Sequence, residues 1–258
     1  MDWFSEYCET NIHSLDNIKI YYETHKQNIN LNPAFQWSCM KGHLNLAKLL
    51  YSLKSGFVNW LKKNNINIHV MDDYLFRKSC ANGHLDVAQW LYSLGDVDIY
   101  AYNNWIFRQS CEKGHLHIAK WLYSLDDTEV SGKRNINIHA ENDSVFRWSC
   151  YYGHLDVAQW LYSLGDVDIH SNNDDTFRHC CTLGHLQIAQ WLHSLGNVNI
   201  RTEDDYAFRI SCENNHDNVV AWLVSICDDY EINTIRPSTY KIHKFTWLKN
   251  INTILFIF

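Results

Sequence analysis

The chain has 258 residues, with 22 basic and 29 acidic side chains and a net charge of −7 when histidines are neutral. Nucleic-acid binding rests on neutralising phosphates with Lys and Arg, so this mildly acidic balance speaks against a nucleic-acid partner. An apolar fraction of 46% excludes wholesale disorder, and two prolines exclude a proline-rich scaffold. The length is at the upper limit for one globular core but ordinary for a repeat array.

The N-terminus, MDWFSEYCETN, carries acids where an export signal would carry bases. The longest apolar runs, Val219–Cys227 and Ile254–Phe258, fall well short of the ~20 residues of a membrane-spanning helix. The expectation is a cytoplasmic protein with no membrane span. Nine cysteines, an odd count, argue against a closed disulfide framework.

Phenylalanine recurs at positions 4, 35, 76, 107, 146, 177 and 208, at spacings of 31, 41, 31, 39, 31 and 31. A cysteine stands four residues after each, so seven of the nine cysteines are repeat positions; Cys180 and Cys227 are the others. From the second repeat on, Gly-His follows, as in Gly83-His84 and Gly153-His154, with Asn215-His216 in the last. Tryptophan comes seven residues after that Gly or Asn at positions 90, 121, 160, 191 and 222.

In chain order, residues 1–31 form a degenerate first repeat, as expected of a terminal cap. Residues 32–227 form six repeats, with Pro33 placed where the first turn of a helix tolerates it. In the repeat from Asp72 to Ile99, Asp72 or Asp73 is a natural helix N-cap. A first helix runs to about Ala81 and stops at Gly83, and a second runs from near His84 to Leu94 and stops at Gly95. Asp86, Gln89 and Ser93 form one polar stripe; the remaining apolar arc is wide enough for burial on more than one side. Asp96 to Ile99 alternates and is expected to be extended. Two insertions, near residues 54–65 and 126–135, share one register point and mark a surface loop. Residues 228–258 carry four bases and, from Ile232, no acid; they suit a truncated eighth repeat better than a membrane contact.

This unit resembles an ankyrin repeat, over most of the chain. In the repeat from Thr176, the residues Thr176-Phe177-Arg178-His179-Cys180-Cys181 stand where the family has Thr-Pro-Leu-His-Leu-Ala-Ala. Gly184-His185 and the helix through Ile188, Ala189, Trp191 and Leu192 follow, then Gly196, Val198 and Asn199. Phe, Arg and Ser-Cys replace family residues, and two residues are missing in the turn region, where a shortened hairpin finger is expected. The Phe-Arg-x-Ser-Cys and Trp-Leu-Tyr-Ser-Leu dialect resembles ankyrin-like families of giant DNA viruses of amoebae. The resemblance implies an all-α solenoid of helix-turn-helix repeats with short extended or hairpin-like turns. It also implies a non-enzymatic scaffold that binds a partner protein, plausibly a host protein, on its concave face.

The recurrent residues carry structural readings. Cys-x3-His could suggest a zinc array, but each repeat supplies two ligands and layers ~8–10 Å apart cannot pool them into a tetrahedral site. The cysteines are therefore read as small core residues and the histidines as shapers of the interhelical turn; no metal or other cofactor is expected. The Arg that follows each Phe is read as pairing with turn carboxylates and with backbone carbonyls of the neighbouring repeat, not as a ladder for an acidic ligand. The turn Asp and Asn residues are read as caps, since calcium-loop spacing is absent. The Trp column is read as core packing. No nucleophile elbow or phosphate-binding glycine loop is present, so no catalytic residue is assigned.

Specificity then falls to the positions that vary. Tyr102 and Trp105 at a turn tip, with Trp148, Tyr151 and Tyr152 on the next first helix, are expected to line one patch flanked by Lys78, Glu112 and Lys113. An aromatic centre with a charged rim is a common anatomy of protein-binding sites. A monomer with one aromatic face is expected. The alternative is an assembly protein that self-associates in a larger particle.

Overall fold

The computed structural model describes residues 3–25, 29–53, 66, 68–126 and 136–227. Both insertions, apart from Asp126, and the tail at 228–258 lie outside the described residues. The chain divides into two compact parts, residues 1–137 and 138–258. Among the described residues there are fourteen α-helices and no strand.

The N-terminal part holds four helix pairs: α1 (Trp3–Thr10) with α2 (Leu15–His25), α3 (Leu31–Met40) with α4 (Leu44–Leu53), α5 (Val70–Ala81) with α6 (Leu85–Ser93), and α7 (Ala101–Glu112) with α8 (Leu116–Leu125). The first helices of successive pairs stack, α1 on α3, α3 on α5 and α5 on α7. The C-terminal part holds three pairs: α9 (Ala140–Tyr151) with α10 (Leu155–Ser163), α11 (Ser171–Thr182) with α12 (Leu186–Ser194), and α13 (Thr202–Glu213) with α14 (Asp217–Ile226). There α9 stacks on α11 and α11 on α13. The architecture is an all-α helical repeat solenoid.

Each first helix supplies a Phe to the core and each but α13 a Cys as well, for example Phe107 with Cys111 and Phe177 with Cys181, all at most 1% exposed; Cys212 of α13 is only half-buried, against its reading as a core residue. The second helices α4, α6, α8, α10 and α12 turn an aliphatic-Ala-x-x-Leu edge inward, such as Val157, Ala158 and Leu161. A buried serine stitches one repeat to the next: Ser211 Oγ donates to the Ala207 carbonyl of its own helix at 2.7 Å, and lies 2.9 Å from the Cys181 carbonyl of the repeat before. The Trp column is half-buried rather than fully core. Its rings close the seam between repeats, as Trp121 meets Phe76 and Tyr92 edge-on at 6.1 and 5.7 Å. Trp222 likewise meets His193 edge-on at 5.7 Å and lies tilted against Phe177 at 6.2 Å.

The turns differ from the expectation. Instead of N-capping, Asp72 and Asp73 follow Met71 in a left-handed turn, with φ of 52–58°. Glu141–Asp143, Asn172–Asp174 and Glu203–Asp205 repeat it. The amide N–H of Asp174 closes the turn on the His170 carbonyl at 3.2 Å. Left-handed backbone costs an L-residue ~1–2 kcal/mol, least for Asn and Asp, which is why the turn is rich in them. The third residue also gains partners. Asp174 Oδ1 accepts from His170 Nδ1 at 2.6 Å, and its Oδ2 accepts from the Asn199 amide at 3.0 Å. Asp143 and Asp73 do the same in their repeats. This turn stands where a hairpin finger was expected. Asp96 is also left-handed, at φ 58°, which departs from the extended return expected from Asp96 on.

The Arg column serves the same turn. Nη2 of Arg77, Arg147 and Arg178 donates to the carbonyl six residues back, at 2.7–3.1 Å. These carbonyls belong to the Arg's own repeat, not to the neighbouring one. The second insertion is pinned where it leaves and returns, since Asp126 Oδ2 accepts from the Ile136 amide at 2.9 Å.

Candidate functional site

In the N-terminal part, five of the expected site residues take distinct environments. Tyr102, 57% exposed, donates from its hydroxyl to Asp72 Oδ2. That bond holds its phenol above the ordinary tyrosine range. Arg77 lies over the rings of Tyr102 and Trp105, at 5.0 and 5.7 Å. These two aromatics therefore cover a framework cation as well as facing outward. Lys78 lies 5.6 Å from the Tyr74 ring on its own helix. Glu112 is half-buried and accepts from Gln109 Nε2 at 2.5 Å, while Lys113 is exposed.

In the C-terminal part, Trp148, Tyr151 and Tyr152 come together at the C-terminal end of α9. Helical spacing puts Trp148 on one face with Tyr151 and Tyr152, three and four residues on. Trp148 meets Tyr151 edge-on at 5.4 Å and stacks on Tyr152 at 5.9 Å, and the two tyrosines meet at 5.2 Å. All three stay exposed, at 49, 36 and 45%.

Beside them, α9 and α11 enclose a cleft of about 190 Å³ lined by Arg147, Trp148, Tyr151, Asp175, Thr176 and His179. His179 Nδ1 donates to the backbone carbonyl of Asp175 at 2.9 Å, with Asp175 Oδ1 3.1 Å away, and the ring lies 6.0 Å from that of Tyr151. The variable columns pointed to Trp148 and Tyr151 but not to Arg147, Asp175 or Thr176. Thr176 did carry a signal, as the one hydroxyl in the column just before Phe, which from the second repeat on otherwise reads Ala34, Leu75, Ile106, Val145 and Ala207.

Among the described residues no three or more His, Cys, Asp or Glu side chains cluster as metal ligands, and no helix is long and apolar enough to cross a membrane. The arrangement is one of contact surfaces: exposed rings, a mixed-polarity cleft, and charges held by framework partners.

No curated protein matches the chain. Residues 146–236 match the family model described as ankyrin repeats (3 copies). Ankyrin repeats generally mediate protein–protein interaction and are generally non-catalytic. With the helix pairs in residues 146–236 similar to ankyrin repeats and the same Phe-Cys-Gly-His pair recurring from α3 to α8, the fold is an all-α helical repeat solenoid.

Proposed function

We propose that this chain is a non-enzymatic protein-recognition module. Its contact residues are Trp148, Tyr151 and Tyr152 in the C-terminal part, and Tyr102 and Trp105 with Lys78, Glu112 and Lys113 in the N-terminal part. The observation that carries the reading is the trio on α9: three mutually touching rings, each more than a third exposed, at positions that change from repeat to repeat. Aromatics of this kind are the usual anchors of interfaces. The Phe-Arg-x-Ser-Cys dialect supports a viral setting, with a host protein as partner and the host cytoplasm as location.

The test is a double variant, Tyr151→Ala with Tyr152→Ala, compared with wild type for thermal melting and for capture of a partner from host-cell extract. The expected result is an unchanged melting transition and affinity weaker by about 2 kcal/mol or more. A folded variant that captures the same partner equally well overturns the reading, as does one that unfolds, since the rings would then be structural. Sedimentation of the purified chain adds a second check. A monomer is expected, and self-association favours the assembly protein instead.

A further inference from the structure

The cleft between α9 and α11 contains two polar groups that the fold does not satisfy. The first is Thr176. From the second repeat on, its column is otherwise aliphatic and buried, and Thr176 itself is only 4% exposed. Its Oγ1 is buried without a hydrogen-bond partner. Valine would fill the same volume without burying an unpaired hydroxyl, so packing gives no reason for threonine here.

The second is Arg147. One repeat further on, Arg178 is neutralised by Asp175 at 3.1 Å and by Glu203 at 2.5 Å. The positions that correspond to those carboxylates for Arg147 are Ser144 and Asn172, both neutral. Arg147 holds only the Glu141 carbonyl through Nη2 and has no carboxylate partner among the described residues. The carboxylate of Asp175, which also lines the cleft, is taken up by Arg178. The cleft thus holds an uncompensated guanidinium and an unpartnered hydroxyl among lining residues that include Trp148 and Tyr151.

We propose that this cleft receives an Asp or Glu side chain of the partner, presented on a short peptide segment beside an apolar or aromatic residue. The carboxylate is the complement of both groups. It accepts from the guanidinium in a charge-assisted pair and from the threonine hydroxyl, and the neighbouring apolar residue lies on the exposed rings. A basic side chain would meet Arg147 with like charge and find Asp175 already engaged. The inference rests on the protein-recognition reading and adds to it the chemistry of the recognised segment.

The test is selection of a random peptide library on the full chain, followed by titration of a labelled selected peptide. Selected sequences are expected to carry Asp or Glu next to an aromatic or aliphatic residue. Changing that acid to its amide is expected to weaken binding about tenfold. In Arg147→Gln the acid and its amide should bind alike. Because Arg147 also holds a turn carbonyl, Thr176→Val is the control for folding: it should melt no lower than wild type yet bind the peptide about fivefold more weakly. Three results overturn the proposal: selected peptides without an acid, peptides whose acid is insensitive to Arg147→Gln, and no selected peptide at all. None of the three touches the capture experiment on Tyr151 and Tyr152, so failure here is distinguishable from failure of the recognition reading.

Discussion

The imidazole of His185 lies against Gly153 of the preceding repeat, and its Nε2 donates to the carbonyl of Tyr151 at 2.8 Å. A Cβ on Gly153 would sit 2.9 Å from His185 Cε1, and Gly153 has φ +85°. Glycine is therefore required twice, for its backbone angle and for the ring of the next repeat. His216 stands in the same way over Gly184, and His84 over Gly42. The Gly-His dipeptide is thus not a local unit: Gly42, Gly83, Gly153 and Gly184 each receive the His of the following repeat.

This relationship predicts that Gly153→Ala costs about 2–3 kcal/mol. Left-handed backbone accounts for ~1–2 and the displaced histidine bond for about 1. In a His185→Ala background the same substitution should cost only the backbone part. Urea denaturation of the four proteins of this cycle measures the coupling. Equal costs in both backgrounds would show that the ring contact contributes nothing.

Asp174 ties its left-handed turn to the chain on both sides, through His170 and through the Asn199 amide. Asp174→Ala removes both bonds and leaves alanine at φ 58°, so a loss of about 2–4 kcal/mol is expected. Asp174→Asn keeps a residue that tolerates this angle and one acceptor, and should lose roughly half as much. A variant series in which alanine and asparagine unfold at the same denaturant concentration would count against this account of the turn.

The helices were legible in the sequence because their signals are local. The Phe-x3-Cys spacing, the glycine stops and the period of 31 place α5 and α6 within a residue or two of Ala81 and Gly95. The left-handed turns were not legible. Asp73 reads as an N-cap from its neighbours alone, but its carboxylate is taken by His69 and by an amide 25 residues on. That second partner exists only once the helix pair has folded back on itself and brought the return beside the turn. The same holds for the site. Trp148, Tyr151 and Tyr152 announced themselves by departing from their columns. The lack of a carboxylate opposite Arg147 depends on which residue packs across from it, Asn172 rather than an acid, and stacking alone decides that.

Phe107 and Phe146 are each 1% exposed in the middle of their first helices. Truncation to alanine removes a ring from a close-packed site that can collapse only in part, which predicts a loss of about 3–5 kcal/mol at either position. Chemical denaturation gives the value directly. A loss below about 1 kcal/mol would mean that the Phe column is not the core of the repeat.

The buried thiols predict how stability depends on pH. Burial pushes the Cys39 thiol up to about 12 and moves Cys80, Cys111, Cys180 and Cys181 upward as well. In the unfolded chain these thiols ionise near pH ~8.5. Above that pH the unfolded state releases protons that the folded state retains, so stability is at its full value below ~8.5 and falls as pH rises. Each such cysteine contributes about 1.4 kcal/mol per pH unit between its two pKa values. Urea midpoints and slopes for wild type and Cys111→Ala at neutral and alkaline pH isolate one thiol against the background of tyrosines and lysines. The variant is expected to start less stable and to lose less on going alkaline. Parallel losses in the two proteins would show that Cys111 ionises as readily folded as unfolded, which is incompatible with a buried thiol at that position.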